Sequence, residues 1–174
     1  EIHRVAPLGT PGDQHGTLMP AVLFVCSGNT CRSPMAAALF KARLIQSGLD
    51  LAAWRVESAG TAAVGNQPAT PQAVEAMAAR GLDLQQHRSR RAGAELLAGF
   101  DLVLCMERKH QAALNVDFPA ISSRVHLLSQ MAGQTSDIED PFGGTPSDYE
   151  QTAQEIEGWL ALGMNTILST LKNC

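Results

Sequence analysis

An α/β chain, folded as three αβα layers around a small, about four-stranded parallel sheet, is expected from three observations. The apolar runs at residues 22–25 and 102–106 have strand length and no polar break, the pattern of strands buried on both faces. Each is followed by a stretch whose apolar residues recur three to four apart, so strand and helix alternate along the chain. At 174 residues with 45% apolar content, the chain supports one well-buried domain.

Taken in order, residues 1–18 are rich in Pro, Gly and polar types and lack periodicity. They read as an N-terminal extension, either an added tag or the tail of an upstream domain, ahead of a domain at 19–174 that begins with Met19. The first strand ends at Cys26. Ser27, Gly28, Asn29 and Thr30 are turn formers, and Ser33 before Pro34 reads as an N-cap with proline at the first helical position. Met35, Leu39, Ala42, Leu44 and Ile45 give that helix its apolar stripe, and Gly48 stops it.

A second strand at 54–60 ends in Ser58, Ala59 and Gly60, small enough to pass close to the loop after Cys26. Thr70-Pro71 opens the next helix, with Val74, Met77 and Ala78 inward and Gly81 as its stop. A short helix at 94–99 is anchored by Leu97. After the strand at 102–106 come a helix at 107–114 and a strand at 125–128. Ser147 and Glu150 spell a capping box for the last helix. Its Tyr149, Ile156, Trp159, Leu160, Met164, Ile167 and Leu171 recur at helical spacing as core.

Composition excludes several function classes. With a net charge of −4 and no broad basic face, nucleic acid is not an expected partner. Arg88, Arg90 and Arg91 form the one dense basic cluster, read either as a solvated loop or as the mouth of an anion site. No apolar span long enough for a membrane helix and no charged-then-apolar leader appear, so neither insertion nor secretion is expected. Four cysteines, at 26, 31, 105 and 174, lack framework spacing and suit a reducing cytoplasm. Cys105, inside an apolar run, reads as an inert core thiol, and a monomer is expected.

The chemistry concentrates at 26–33. A strand, a tight loop and a helix N-terminus in line direct loop N–H groups and the positive end of the helix dipole at whatever lies above Cys26. That field fits a phosphate dianion and favours thiolate over thiol, which makes Cys26 a nucleophile. Arg32 is suited to hold two phosphoryl oxygens at once, and Ser33 to donate a hydrogen bond to the sulfur. A zinc pair of Cys26 and Cys31 lacks a second pair at ligand spacing, and no Gly-Lys-Ser/Thr follows to make a nucleotide loop. No metal and no cofactor are expected. Far downstream, Asp140 precedes Pro141 in a polar loop and is held extended by it, as a general acid requires. Asp137 and Glu139 are expected to oppose its ionisation. The alternative for these acids is a solvated loop or an adventitious cation site.

Cys26 to Ser33 reads C-x5-R-S. With Ser58-Ala59-Gly60-Thr61, His87-Arg88-Ser89-Arg90 and Asp140-Pro141 in order, the chain resembles the low-molecular-weight protein tyrosine phosphatase family over about residues 20–172. Gly-Asn-Thr-Cys-Arg-Ser-Pro-Met and Asp-Pro-Phe-Gly-Gly look most like its bacterial protein arginine phosphatase branch. The resemblance implies a phosphotyrosine protein phosphatase I-like fold and phosphorylated proteins as substrates. Cys26, Arg32 and Asp140 are the implied catalytic residues, with Ser27, Gly28, Asn29, Thr30, Cys31 and Ser33 around the phosphate and His87 holding the loop. It also implies a reversible Cys26–Cys31 disulfide. Thr30 and Phe142 stand where tyrosine-specific relatives carry an aliphatic residue and two aromatics, so phosphoarginine is favoured over phosphotyrosine. Two other readings stand beside these: a thioredoxin-coupled arsenate reductase, which needs a further cysteine pair, and a non-catalytic anion-sensing module.

Overall fold

A computed structural model describes residues 19–173 of the chain. The expected extension at 1–18 lies outside the described residues. Four strands, β1 (Ala21–Cys26), β2 (Arg55–Gly60), β3 (Leu102–Cys105) and β4 (Val125–Leu127), form one parallel sheet in the order β2-β1-β3-β4. The chain steps outward from β1 to β2 and then returns to the other side of β1 for β3. The carboxyl ends of β1 and β3 therefore flank a switch point, where a crevice for a ligand opens in sheets of this kind.

Both faces of the sheet are covered. Val22, Phe24 and Cys26 of β1 join Leu102 and Leu104 of β3 in one core, closed by α1 (Arg32–Gln46), α2 (Pro71–Ala78) and α5 (Pro146–Lys172). Leu23 and Val25 join Val103 and Cys105 in the other, closed by α3 (Ala94–Ala98) and α4 (Arg108–Asp117). Alternate residues of β1 thus serve opposite layers, which is why its run is apolar without alternation. Phe24 meets Phe40 of α1 with ring centroids 5.6 Å apart, and Phe40 meets Trp54 edge-on.

Several boundaries differ from expectation. Helix α1 begins at Arg32, one residue before the expected cap, because the loop is already wound into the first turn there. Helix α5 begins at Pro146 behind Thr145, and Thr145 with Asp148, rather than Ser147 with Glu150, makes the capping box. Pro146 explains the shift, since it takes the first helical position, and Glu150 instead receives Arg80 from the end of α2. The inward residues of α2 are Ala73, Ala76 and Met77, while Ala78 is exposed. Ile45 is exposed too, one residue past the buried stripe that ends at Leu44.

Candidate active site

The loop between β1 and α1 is built around Asn29. It is fully buried with φ 56°, in the left-handed region that asparagine tolerates better than most residues. Its Nδ2 donates to Ser33 Oγ and Ser58 Oγ, both at 2.9 Å, and its Oδ1 accepts from the Arg90 N–H at 2.9 Å. His87 Nε2 donates to the Asn29 carbonyl at 2.7 Å, so this expected supporting residue lies against the loop from behind. Burial pulls the His87 pKa down. Gly60 pairs with Cys26 across β1 and β2, and a Cβ there would stand 2.4 Å from the Ser27 carbonyl. Only glycine lets the second strand lie this close to the loop.

Cys26 lies beneath that loop. Ser33 Oγ is 3.0 Å from its sulfur, and the Asn29 N–H donates to it at 3.3 Å. Because Ser33 Oγ accepts from Asn29 Nδ2, its own proton is available to the sulfur, with the Ala59 carbonyl as the competing acceptor at 3.3 Å. Ser33 is thus turned inward and does not cap α1. Burial pushes the Cys26 thiol up, while Ser33, Arg32 and the Asn29 N–H pull it down. In the free site burial prevails, against the expectation that the loop N–H groups, the helix terminus and Arg32 together depress the thiol. The stabilising groups are assembled, but desolvation of the sulfur opposes them.

Arg32 is almost wholly buried. Its Nη1 donates to Glu107 Oε2 at 2.6 Å and to the Ile138 carbonyl at 2.7 Å, while Nη2 stands 3.2 Å from Asp140 Oδ2. Its buried Nε has no partner among the described residues. The N–H groups of Gly28, Thr30 and Cys31 likewise find no acceptor among those residues. Nη1 is held by Glu107 and Ile138 and Nη2 faces the Asp140 carboxylate, so Nε and three loop amides are the donors left for an anion.

A pocket of about 220 Å³ opens above the sulfur, lined by Cys26, Gly28, Thr30, Cys31, Arg32, Asp140 and Phe142. Asp140 is brought to the pocket through Ile138, which lies 106 residues beyond Arg32; the Ile138 side chain is buried and its N–H donates to Met106 O at 2.9 Å. Asp140 Oδ1 then accepts from the Phe142 N–H at 3.2 Å. Asp137 is engaged by Arg108, through the backbone N–H at 2.7 Å and the guanidinium at 3.1 Å, and these bonds hold its carboxyl below the usual range. The Asp137 carboxylate is thus paired with Arg108 rather than free. Ser27, Asn29, Ser33 and His87 stand behind the loop and do not line the pocket.

Arg90 donates to the Ser58 carbonyl at 3.0 Å and pairs with Glu57, and Arg88 caps the carbonyls of Gln85 and His87. Both line a separate cleft and not the pocket over Cys26. Cys31 Sγ is buried 3.3 Å from Tyr149 OH and 3.5 Å from Thr70 Oγ1. Cys105 is fully buried in β3, and burial pushes its thiol up. Among the described residues no trio of His, Cys, Asp or Glu is grouped to hold a metal ion, and no helix is long and apolar enough to cross a membrane.

Two residues of this site lie outside the sequence expectations. Glu107 follows β3 and holds Arg32; its burial tends to raise its pKa, but hydrogen bonds from Arg32 and Lys109 outweigh this and hold it below the usual range. His110, three residues on, reaches Ser27 Oγ at 2.8 Å. A charged residue two positions past a buried parallel strand at a switch point is the one hint that Glu107 offered.

A buried cysteine lies under unpaired loop amides beside a partly engaged arginine, with a carboxyl group across the pocket, an arrangement suited to hold an oxyanion over a sulfur. The chain belongs to the low molecular weight phosphotyrosine protein phosphatase family, whose description matches residues 21–170. It is 42% identical over 137 residues to a protein-arginine-phosphatase of Bacillus subtilis, covering 78% of this chain and 89% of that one. It is 31% identical over 137 residues to the low molecular weight protein-tyrosine-phosphatase Etp of Escherichia coli, covering 79% and 87%. Among solved structures it superposes on the YwlE arginine phosphatase, in a mutant with a phosphorylated active site serine. The TM-score is 0.79 at 39% identity, covering 86% of this chain and 95% of that one.

Proposed function

We propose that this phosphatase removes the phosphoryl group from arginine residues of proteins by way of a phosphocysteine. Cys26 sulfur attacks phosphorus as thiolate, assisted by the Ser33 hydroxyl, while the P–N bond breaks and Asp140 hands its proton to the departing guanidine nitrogen. Arg32 Nε and Nη2, with the N–H groups of Gly28, Thr30 and Cys31, take the phosphoryl oxygens. In the second half Asp140, now a carboxylate, draws a proton from water as that water attacks phosphorus. The S–P bond breaks and phosphate leaves.

The composition of the pocket wall carries the preference for arginine. Thr30 narrows the loop side, and Phe142 is the one aromatic residue lining the pocket, with Gly143 after it. A guanidinium needs less apolar wall than a phenyl ring. The similarity to the Bacillus protein-arginine-phosphatase supports the same reading. Turnover of matched phosphoarginine and phosphotyrosine peptides by the parent and by Thr30→Ile tests it. The parent is expected to prefer phosphoarginine and the variant to shift towards phosphotyrosine; equal or better tyrosine turnover by the parent sinks the proposal in favour of a protein-tyrosine phosphatase.

Cys31 shares the pocket lining with Cys26, and both are free thiols. Peroxide would oxidise the Cys26 thiolate to a sulfenic acid; the Cys31 sulfur then attacks the Cys26 sulfur, the S–O bond breaks and the hydroxyl leaves as water with the Cys31 proton, giving a disulfide that a dithiol later reduces. Parent inactivated by peroxide is expected to recover fully with a reductant, and Cys31→Ser to recover poorly. Equal recovery removes Cys31 from this role.

A further inference from the structure

We propose that His110 is a positioning residue of the hydrolytic reaction, and that the first turn of α4 is a single mount for both halves of the phosphate cradle. His110 is 1% exposed. Its Nδ1 accepts from the Glu107 N–H at 3.1 Å, so in the neutral ring the proton must reside on Nε2. That Nε2–H faces two acceptors, Ser27 Oγ at 2.8 Å and Glu107 Oε2 at 3.5 Å. The tautomer is therefore fixed from both ends. Burial, with Arg32 opposing a second positive charge, lowers the His110 pKa to about 4, so the neutral donor persists at working pH.

What this bond holds is the start of the loop. Ser27 follows the nucleophile directly, and its carbonyl accepts from the Ala62 N–H at 3.0 Å on the β2 side. His110 holds its side chain from the α4 side, so residue 27 is gripped from two directions. The Glu107 carboxylate on the same turn holds Arg32 Nη1 at 2.6 Å. A shift of this turn would move the loop and the guanidinium together, and the spacing between sulfur and guanidinium is what a phosphoryl transition state reads.

The inference rests on the cysteine-phosphatase chemistry and not on the arginine preference, so a plain aryl phosphate is the substrate of choice. His110→Leu, His110→Gln, Ser27→Ala and the double variant Ser27→Ala/His110→Leu are compared with the parent. Gln at this third helical position can accept from the Glu107 N–H and still donate onward. Expected are a fall of about tenfold in kcat for Leu, a matching weakening of orthovanadate inhibition, and recovery to within about threefold for Gln. Ser27→Ala is expected to match Leu, and the double variant to lose no more than either. Histidine side-chain nitrogen shifts should report the Nε2–H tautomer at pH 7. A folded His110→Leu with kcat and vanadate inhibition within twofold of parent overturns the proposal, as do fully additive losses or the Nδ1–H tautomer. Should Leu fail to fold, Ser27→Ala and the nitrogen shifts decide in the same two directions. Full hydrolysis by Cys26→Ser would instead indicate that the nucleophile is misassigned.

Discussion

At the start of α5, Thr145 and Asp148 satisfy each other: Thr145 Oγ1 accepts from the Asp148 N–H, and the Asp148 carboxylate accepts from the Thr145 N–H at 2.7 Å. At the start of α1, Cys31 provides no side-chain cap, and the amides just before the helix face the pocket unpaired. Both are long helices that begin near Asp140 or Cys26, and both present a positive dipole end. One spends its free N–H groups on its own stability. The other holds them in readiness for an oxyanion, and Ser33, the residue best suited by type to cap it, is diverted to the sulfur at 3.0 Å. A helix start that serves chemistry is recognised here by what it leaves unsatisfied.

Substitutions at the two helix starts should therefore differ in kind. The largest effect is expected at the sulfur: Cys26→Ser should reduce steady-state hydrolysis of an aryl phosphate below about one-thousandth of parent, with folding unchanged. Arg32→Lys keeps the charge but loses the planar fork, and kcat/KM should fall about a hundredfold. Ser33→Ala removes a donor to the thiolate. Its alkylation by iodoacetate should require higher pH than in the parent, with kcat about tenfold lower; an unmoved alkylation profile would mean that the hydroxyl serves only Asn29.

At the other start the response should be thermodynamic. Thr145→Ala should lower unfolding free energy by about 1 kcal/mol in urea while kcat stays within about twofold, and a loss of activity without loss of stability would erase the contrast. A second thermodynamic effect concerns acid. The His110 pKa, near 4 in the fold against 6.5 for an ordinary histidine, means that the unfolded chain takes this proton first. Its contribution to stability is complete above pH 6.5 and declines as pH falls from there towards 4. Between pH 7 and 5 the urea midpoint of His110→Gln should drop less than that of the parent, and equal drops would acquit His110 of the acid sensitivity.

Much of this was legible along the chain. The alternation of strand and helix, the unbroken apolar runs of β1 and β3, and Gly48 as the stop of α1 follow from local periodicity and turn chemistry. The departures were local as well: Pro146 set the start of α5 with Thr145 as its cap, and α1 began at Arg32, which left Ser33 inside the helix with its hydroxyl on the sulfur. Cys26 and Arg32 were readable because the five loop residues between them fix their relation to each other. Glu107, His110 and Ile138 were not, because they meet Arg32 and Ser27 across 75 to 106 residues of chain.

Residue order alone marks Cys26 as the candidate nucleophile, Arg32 as its neighbour and the parallel sheet beneath them, since each depends on neighbours within one turn or one strand. Which nitrogens of Arg32 are held and which is free, how far desolvation resists the thiolate, and which histidine grips Ser27 emerge only once β1 and β3 lie side by side. Those properties depend on distance and burial between remote segments, and a linear pattern encodes neither.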